Sequence, residues 1–215
     1  MDKQYKAVIF DMDGVLIDSQ HLHYETDMAV LKKAGYPAEM ADVVPYTGIA
    51  NPERWPKYRE ALRLEATAED LIKWQTEMIV EVFKNSEMVA LPGIPELLEY
   101  IANKSIPIAV GSASQPELIN LVLTKLDIAR YFSAVVSCED VSRGKPAPDV
   151  FLRAAEKLGA DPSHCVVIED APVGVQAAKN AGMTCIAYRS PHTHGQDFSL
   201  ADHVAGHFKE CFQWL

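Results

Sequence analysis

Short apolar runs recur along the chain and predict buried β-strands. The first is KAVIF at residues 6–10, which is rich in β-forming side chains. Comparable runs follow at Ile106–Val110, Ala134–Val136, Cys165–Ile168 and Thr184–Ala187. Continuous apolar runs of this length are typical of strands covered on both faces, as in parallel sheets.

Helical patterns lie between most of these runs. The i, i+3, i+4, i+7 spacing is followed by Ile94, Leu97, Leu98 and Ile101. A second helix is predicted over Asp149–Leu158 and a third from Val173, each ended by a glycine. Strands that alternate with helices indicate an α/β fold, with a Rossmann-like parallel sheet between layers of helices.

The alternation stops after the first strand. Gln20–Ala34 is predicted to be a helix, and Thr67 with Asp70 forms a capping-box pattern ahead of another helix. No convincing strand lies between them. We therefore predict two domains: an α/β core of residues 1–14 and 89–215, and an inserted α-helical cap of residues 15–88.

Charge and composition limit the classes of partner. A formal net charge of −10 over 215 residues argues against binding to nucleic acid, which requires clustered Lys and Arg. A small anionic substrate stays compatible, because a local site holds it. Four scattered cysteines and the lack of a signal peptide or membrane-length apolar segment indicate a cytoplasmic protein with reduced thiols and no membrane contact.

Polar side chains follow four of the predicted strands. They are Asp11 and Asp13, Ser112 and Ser114, Lys145, and Glu169 and Asp170. In open parallel sheets, ligands bind beyond the carboxyl ends of the strands. Because these ends share one edge of the sheet, we expect the polar groups to converge there.

This set of residues suits a phosphoryl group. Crowded carboxylates repel unless a cation neutralises them, and Mg²⁺ prefers hard oxygen ligands and bridges protein to phosphate. Of Asp11 and Asp13, one carboxylate would attack phosphorus and the other would exchange protons with the leaving group and with water. Mg²⁺ and Lys145 would offset charge on the phosphoryl oxygens, while Ser112 and nearby backbone N–H groups such as that of Ala113 bind the phosphate.

Four segments at these strand ends resemble, in order, the four motifs of the haloacid dehalogenase (HAD) superfamily. They are DMDGVLIDS at 11–19, GSAS at 111–114, KPAPD at 145–149 and IEDAPVG at 168–174. The inserted helices resemble the C1-type cap of the subgroup that includes β-phosphoglucomutase and sugar-phosphate phosphatases. The resemblance covers the whole predicted core.

The resemblance implies a role for each acidic residue. It makes Asp11 the nucleophile and a metal ligand, and Asp13 the general acid/base with its backbone carbonyl on the metal. Asp170 is implied to be a further Mg²⁺ ligand. Glu169 is implied to be a ligand or a carboxylate just behind the ligands.

The resemblance also implies the substrate contacts and the reaction. Ser112 and Lys145 would bind phosphate, and His23 lies where the β-phosphoglucomutase cap also carries a histidine. We predict a Mg²⁺-dependent phosphatase acting on a small phosphomonoester, such as a sugar phosphate, through an aspartyl-phosphate. A monomer is expected.

Other activities of the superfamily are weighed against Asp13 and the cap. The dehalogenase and phosphonate hydrolase branches lack this second aspartate. A phosphomutase carries an arginine shortly after the cap glycine that matches Gly48, whereas the chain here has Ile49–Pro52 with Arg54 displaced. A non-catalytic binding module stays open, although every implied catalytic residue is present.

Two further features have simpler interpretations. Ser114 fits the capping position of the helix predicted from Pro116. The tail offers a conceivable transition-metal site, which we disfavour because His-x-His in a Pro/Gly loop is typically solvated. Its histidines are His192, His194, His203 and His207.

Overall fold

The computed structural model of the chain describes residues 5–47, 49, 51–190, 193 and 195–215. The chain divides into two compact units, one of Met1–Asp18 with Met88–Leu215 and the other of Ser19–Glu87. Among the described residues, every named strand lies in the first unit, and the second unit is helical.

The elements alternate as a Rossmann-like fold requires. The strands are β1 (Ala7–Phe10), β2 (Ile108–Ser112), β3 (Phe132–Ser137), β4 (Cys165–Glu169), β5 (Thr184–Tyr188) and β6 (His203–Ala205). The α-helices are α1 (Gln20–Lys33), α2 (Met40–Val43), α3 (Asn51–Leu62), α4 (Ala68–Asn85), α5 (Ile94–Asn103), α6 (Pro116–Lys125), α7 (Asp149–Lys157) and α8 (Pro172–Asn180). Helices α5 to α8 are each followed or preceded by a strand of the sheet.

All six strands form one parallel sheet in the order β3-β2-β1-β4-β5-β6. This confirms the predicted α/β fold. Strand β1 lies between β2 and β4, so the chain order changes direction there. In open α/β sheets, such a switch point opens a crevice beyond the carboxyl ends of the strands, and ligands bind in it.

Apolar packing fixes the central strands and the loops that follow them. Every residue of β1 and β4 is buried. On one face of the sheet, α7 packs over β1 to β3 and α8 packs over β4 and β5. Their shared cluster includes Ile9, Val167, Phe151 and Val175. The residues directly after β1 and β4 therefore start from a rigid base.

The second unit has its own apolar core. Val30 and Leu31 of α1 meet Trp55 and Tyr58 of α3 and Leu71 of α4. The predicted capping box at the start of α4 is confirmed, because the Thr67 hydroxyl accepts a hydrogen bond from the Asp70 N–H and the Asp70 carboxylate accepts one from the Thr67 N–H. Helix α3 was not predicted.

Several sequence-based details need correction or fall outside the structure. β2 runs two residues further than predicted, to Ser112, and β6 was missed. Gly48, Ala50, His192 and His194 lie outside the described residues. The four cysteines are free. Of the helices described, none combines the length and the apolar character needed to cross a bilayer.

Candidate active site

Asp11 and Asp13 lie on a tight turn directly after β1. Asp11 is 6% exposed, and its backbone N–H donates to the carbonyl of Ile168 in β4, 2.9 Å away. The turn requires Gly14, whose φ of +79° is unfavourable for other residues. A Cβ at Gly14 would also overlap the Asp170 carboxylate. The glycine therefore lets the β1 and β4 loops approach each other closely.

The ammonium of Lys145 joins the carboxylates that follow β1 and β4. Its Nζ lies 2.5 Å from Asp11 Oδ1 and 2.7 Å from Glu169 Oε1, and all three side chains are less than 10% exposed. Nζ also lies 4.8 Å from the ring centroid of Phe151. Burial alone would lower the pKa of Lys145, but Asp11 and Glu169 outweigh burial and raise it. Lys145 is therefore a fixed positive charge in the site.

Glu169 is held from several sides at the end of β4. Its Oε2 accepts hydrogen bonds from the N–H groups of Asp170 at 2.7 Å and Ala171 at 2.8 Å, while Oε1 accepts from Lys145. A Cβ at Gly174 would overlap this carboxylate. The glycine lets α8 begin against Glu169, and the hydrogen bonds fix the direction in which Glu169 points.

Asp11, Glu169 and Asp170 form one acidic cluster, with an oxygen of each within 4.8 Å of the others. Burial, then the charges of Glu169, Asp11 and Asp13, raise the pKa of Asp170 to about 9. Burial also raises the pKa of Asp11 to about 8; Lys145 opposes this effect, whereas Glu169 and Asp13 add to it. With its carboxyl groups ionised, the cluster would have more negative charge than Lys145 offsets, and its hard oxygen donors fit a divalent cation such as Mg²⁺.

The residues after β2 complete this edge of the sheet. Ser112 is the last residue of β2 and is buried, and its Oγ accepts a hydrogen bond from the Ser114 N–H at 3.0 Å. The hydroxyl proton of Ser112 can therefore be donated to a ligand. Ala113 is exposed beside it. The structure brings Asp11, Asp170 and Lys145 together as expected. Ser112 lies at the end of β2, the strand that pairs with β1.

Ser114 does not cap the following helix. The N-cap of α6 is Gln115, which makes no side-chain capping bond. The Ser114 hydroxyl instead donates to Asp13 Oδ2 at 2.7 Å. No local pattern predicts this contact, because the two residues are 101 positions apart and belong to different strand ends.

His23 belongs to the helical unit, on α1. Its ring lies 5.5 Å from that of Phe83 in an edge-on contact. In the same unit, Arg54 Nη2 lies 3.2 Å from Asp27 Oδ1 and donates to Asn51 Oδ1 at 2.5 Å. Tyr58 donates to the other oxygen of Asp27 at 3.1 Å. Arg54 is thus committed to a mostly buried ion pair, a feature that sequence analysis missed.

Residues 8–188 match the haloacid dehalogenase-like hydrolase family. The match spans most of the chain and includes all four motifs around the acidic cluster, so the chain belongs to this family. The resemblance drawn from the motifs is confirmed.

Named relatives cover most of the chain. A phosphorylated carbohydrates phosphatase of Thermotoga maritima is 35% identical over 179 residues, which are 83% of this chain and 82% of that protein. The fructose-1-phosphate phosphatase YqaB of Escherichia coli is 31% identical over 192 residues, 88% of this chain and 99% of that protein. The structure of β-phosphoglucomutase from Clostridium difficile matches with a TM-score of 0.76 and 26% identity, over 96% of this chain and 93% of that chain.

Proposed function

We propose that this protein is a Mg²⁺-dependent phosphatase that hydrolyses a small phosphomonoester through an aspartyl-phosphate on Asp11. The observation that carries the proposal is the buried bridge of Lys145 between Asp11 and Glu169, beside Asp170 at the switch point of the sheet. A carboxylate nucleophile needs nearby positive charge, both to approach an anionic phosphate and to stabilise the charge that develops during transfer.

Asp11 begins the reaction in this proposal. A carboxylate oxygen of Asp11 attacks phosphorus, and the bond from phosphorus to the substrate oxygen breaks. The fixed charge of Lys145 beside Asp11 offsets negative charge on the phosphoryl oxygens, and the Ser112 hydroxyl with the N–H of Ala113 binds them. Glu169 holds Lys145 in place. Its Oε2 is fixed by the N–H groups of Asp170 and Ala171, and its Oε1 accepts a hydrogen bond from Lys145.

Asp13 moves the protons in both halves of the reaction. Protonated Asp13 gives its proton to the leaving oxygen as an alcohol departs. Asp13 then accepts a proton from water as the water oxygen attacks phosphorus. The bond between phosphorus and Asp11 breaks, inorganic phosphate leaves, and both aspartates return to their starting states.

The acidic cluster would hold the metal. Asp11 and Asp170 are the proposed side-chain ligands, with the backbone carbonyl of Asp13, and Glu169 lies behind them. When bound, Mg²⁺ supplies positive charge that lets the phosphoryl group approach Asp11. The raised pKa values of Asp11 and Asp170 support this assignment, because they show that these groups ionise together only when positive charge is added beside them.

A phosphomutase is the second candidate, favoured by the match to the Clostridium difficile β-phosphoglucomutase structure. A mutase must also bind the second phosphate of a bisphosphate intermediate, for which arginine is well suited. Arg54 is the displaced arginine of the cap, and it is already paired with Asp27 and hydrogen-bonded to Asn51. Hydrolysis is therefore the better-supported reaction, and the two phosphatase relatives support a phosphorylated carbohydrate as its substrate.

Phosphate release tests the proposal. Purified protein is assayed with p-nitrophenyl phosphate and a panel of sugar phosphates that includes fructose 1-phosphate, with Mg²⁺ or with excess EDTA. We expect release that requires Mg²⁺ and is abolished in Asp11→Asn. Asp127→Asn is the matched control, because Asp127 is exposed and its φ of +54° suits asparagine.

The outcomes separate the candidate functions. Release that persists in EDTA or in Asp11→Asn would contradict the proposed mechanism. Interconversion of glucose phosphates with little free phosphate would favour the mutase. Binding of sugar phosphates without turnover of any panel member would favour a non-catalytic module.

A further inference from the structure

Ser114 is held by hydrogen bonds at each of its polar groups. Its backbone N–H donates to Ser112 Oγ at 3.0 Å, and its carbonyl accepts from Ser137 Oγ at 2.8 Å. Its hydroxyl donates to Asp13 Oδ2 at 2.7 Å. These contacts connect the ends of β2 and β3 to the turn after β1. The only proton of the Ser114 hydroxyl is directed at Asp13.

Ser137 fixes the backbone of Ser114 from the next strand. It is the last residue of β3 and is fully buried. Its Oγ accepts the N–H of Glu139 at 3.0 Å, and its own N–H donates to Asp140 Oδ2 at 2.9 Å. The one proton of the Ser137 hydroxyl is donated to the Ser114 carbonyl. The backbone that carries the Ser114 hydroxyl is thus held by the buried last residues of β2 and β3.

Asp13 is a turn residue, beyond the last residue of β1 and next to Gly14, so a hydrogen bond from a fixed group helps to orient its side chain. An aspartate there can adopt several side-chain rotamers. General acid catalysis requires the carboxyl group within hydrogen-bonding reach of the leaving oxygen, and a displacement of about 1 Å can cost roughly 100-fold in rate. A hydrogen bond from a fixed hydroxyl favours one rotamer of Asp13.

We propose that Ser114 is a positioning residue that orients Asp13 for proton transfer, and that Ser137 holds Ser114 in place. The proposal rests on the proposed function, since it requires Asp13 to be the general acid. Two simpler roles for Ser114 agree less well with the contacts. Gln115, not Ser114, is the N-cap of α6, and the Ser114 proton is donated to Asp13 and not toward the Ser112 side of the site.

Leaving-group dependence separates positioning of the acid from binding of phosphate. p-Nitrophenolate departs without a proton, whereas the alkoxide of benzyl phosphate requires one, and the two substrates have rings of similar size. The quantity kcat/KM reports only steps through departure of the leaving group. We expect Ser114→Ala to lower kcat/KM for benzyl phosphate by about 10- to 100-fold and for p-nitrophenyl phosphate by less than about 2-fold.

Three further variants serve as references. Asp13→Asn should show the same selective loss in a stronger form. Ser112→Ala should lower kcat/KM for both substrates, because Ser112 is assigned to phosphate, and somewhat more for benzyl phosphate, because it also removes the acceptor of the Ser114 N–H. Ser114→Thr keeps the hydroxyl and should restore most of the benzyl phosphate activity. Thermal unfolding of each variant checks that it is folded.

A crystal structure of metal-free Ser114→Ala gives a readout independent of activity, and we expect the Asp13 side chain in more than one rotamer. Equal losses for both substrates in Ser114→Ala, beside a selective loss in Asp13→Asn, would overturn the positioning role and leave the phosphatase proposal intact. An unchanged, single Asp13 rotamer would overturn it as well. A wild-type protein that hydrolyses neither substrate nor any sugar phosphate would overturn the proposed function, and this inference with it.

Discussion

The stability of the metal-free protein should decrease as the pH rises, because of two carboxyl groups of the acidic cluster, those of Asp11 and Asp170. In the folded state the pKa of Asp11 rises from 3.8 to about 8, and that of Asp170 from 3.8 to about 9. Between those limits the folded protein binds more protons than the unfolded chain. Stability falls with pH wherever the folded state holds the extra protons. Lys145 stays charged throughout this range, because its pKa is raised above 10.5, and so adds no slope.

The size of the effect follows from the number of protons. One proton corresponds to about 1.4 kcal/mol per pH unit. The two carboxyl groups raise each other's pKa, so protonation of one relieves the other, and we count one shared proton for the pair. From pH 6 to pH 8, the free energy of unfolding should then fall by roughly 3 kcal/mol. For a chain of this size, that corresponds to a decrease in Tm of about 6–12 °C.

Scanning calorimetry in EDTA at pH 6, 7 and 8 measures this effect. Asp170→Asn is the control, because asparagine has a similar shape but does not titrate. Its Tm should depend less steeply on pH than that of the wild type, and the comparison cancels contributions from groups elsewhere. Saturating Mg²⁺ should raise the wild-type Tm most at pH 8, where protons compete least. The reasoning would be refuted if, between pH 6 and pH 8, the wild-type Tm fell no more than the Tm of Asp170→Asn.

Two substitutions test the packing around the site and in the helical unit. Gly174→Ala should lower the free energy of unfolding by about 3 kcal/mol and remove most activity, because the new Cβ would displace the Glu169 carboxylate. Gly182→Ala should lower the free energy of unfolding by only about 1 kcal/mol. Its φ of +73° is unfavourable for alanine, but no atom lies within 4 Å of the new Cβ. Equal losses of Tm in the two variants would contradict this. Tyr58→Phe should lower the free energy of unfolding by about 2 kcal/mol, because it removes the hydrogen bond to buried Asp27. An unchanged Tm would show that this bond contributes nothing net.

Local pattern was sufficient to predict most of the sheet. Continuous apolar runs identified β1 and β4, whose residues are buried on both faces. β6 was missed because it is three residues long and begins with a histidine. β2 was placed two residues early, because Gly111 and Ser112 have little strand character of their own. They are extended because they pair with Val136 and Ser137 of β3.

Helix α3 shows where local pattern fails in the helical unit. It contains Pro56, and only Trp55 and Tyr58 among its described side chains are buried. A proline and a mostly polar surface predict a loop. Tertiary contacts override this preference, because the two aromatic residues complete the apolar core with α1 and α4.

The convergence of the site could be predicted, but its internal contacts could not. Parallel strands end at a common edge, so Asp11 and Asp170 were expected to meet once the strands were identified. The bridge from Lys145 to both Asp11 and Glu169 depends on the path of a long loop. The bond from Ser114 to Asp13 depends on the register of three strands, which no short sequence window contains.

The central claim is that Asp11 carries the phosphoryl group during turnover, and trapping tests it most directly. The protein is mixed with Mg²⁺ and excess substrate, quenched in acid within a turnover, reduced with borohydride and analysed by peptide mass spectrometry. An aspartyl-phosphate is reduced to homoserine, so homoserine is expected at position 11 in the wild type. Homoserine at position 13 or 170, or rapid turnover with none at position 11, would contradict it.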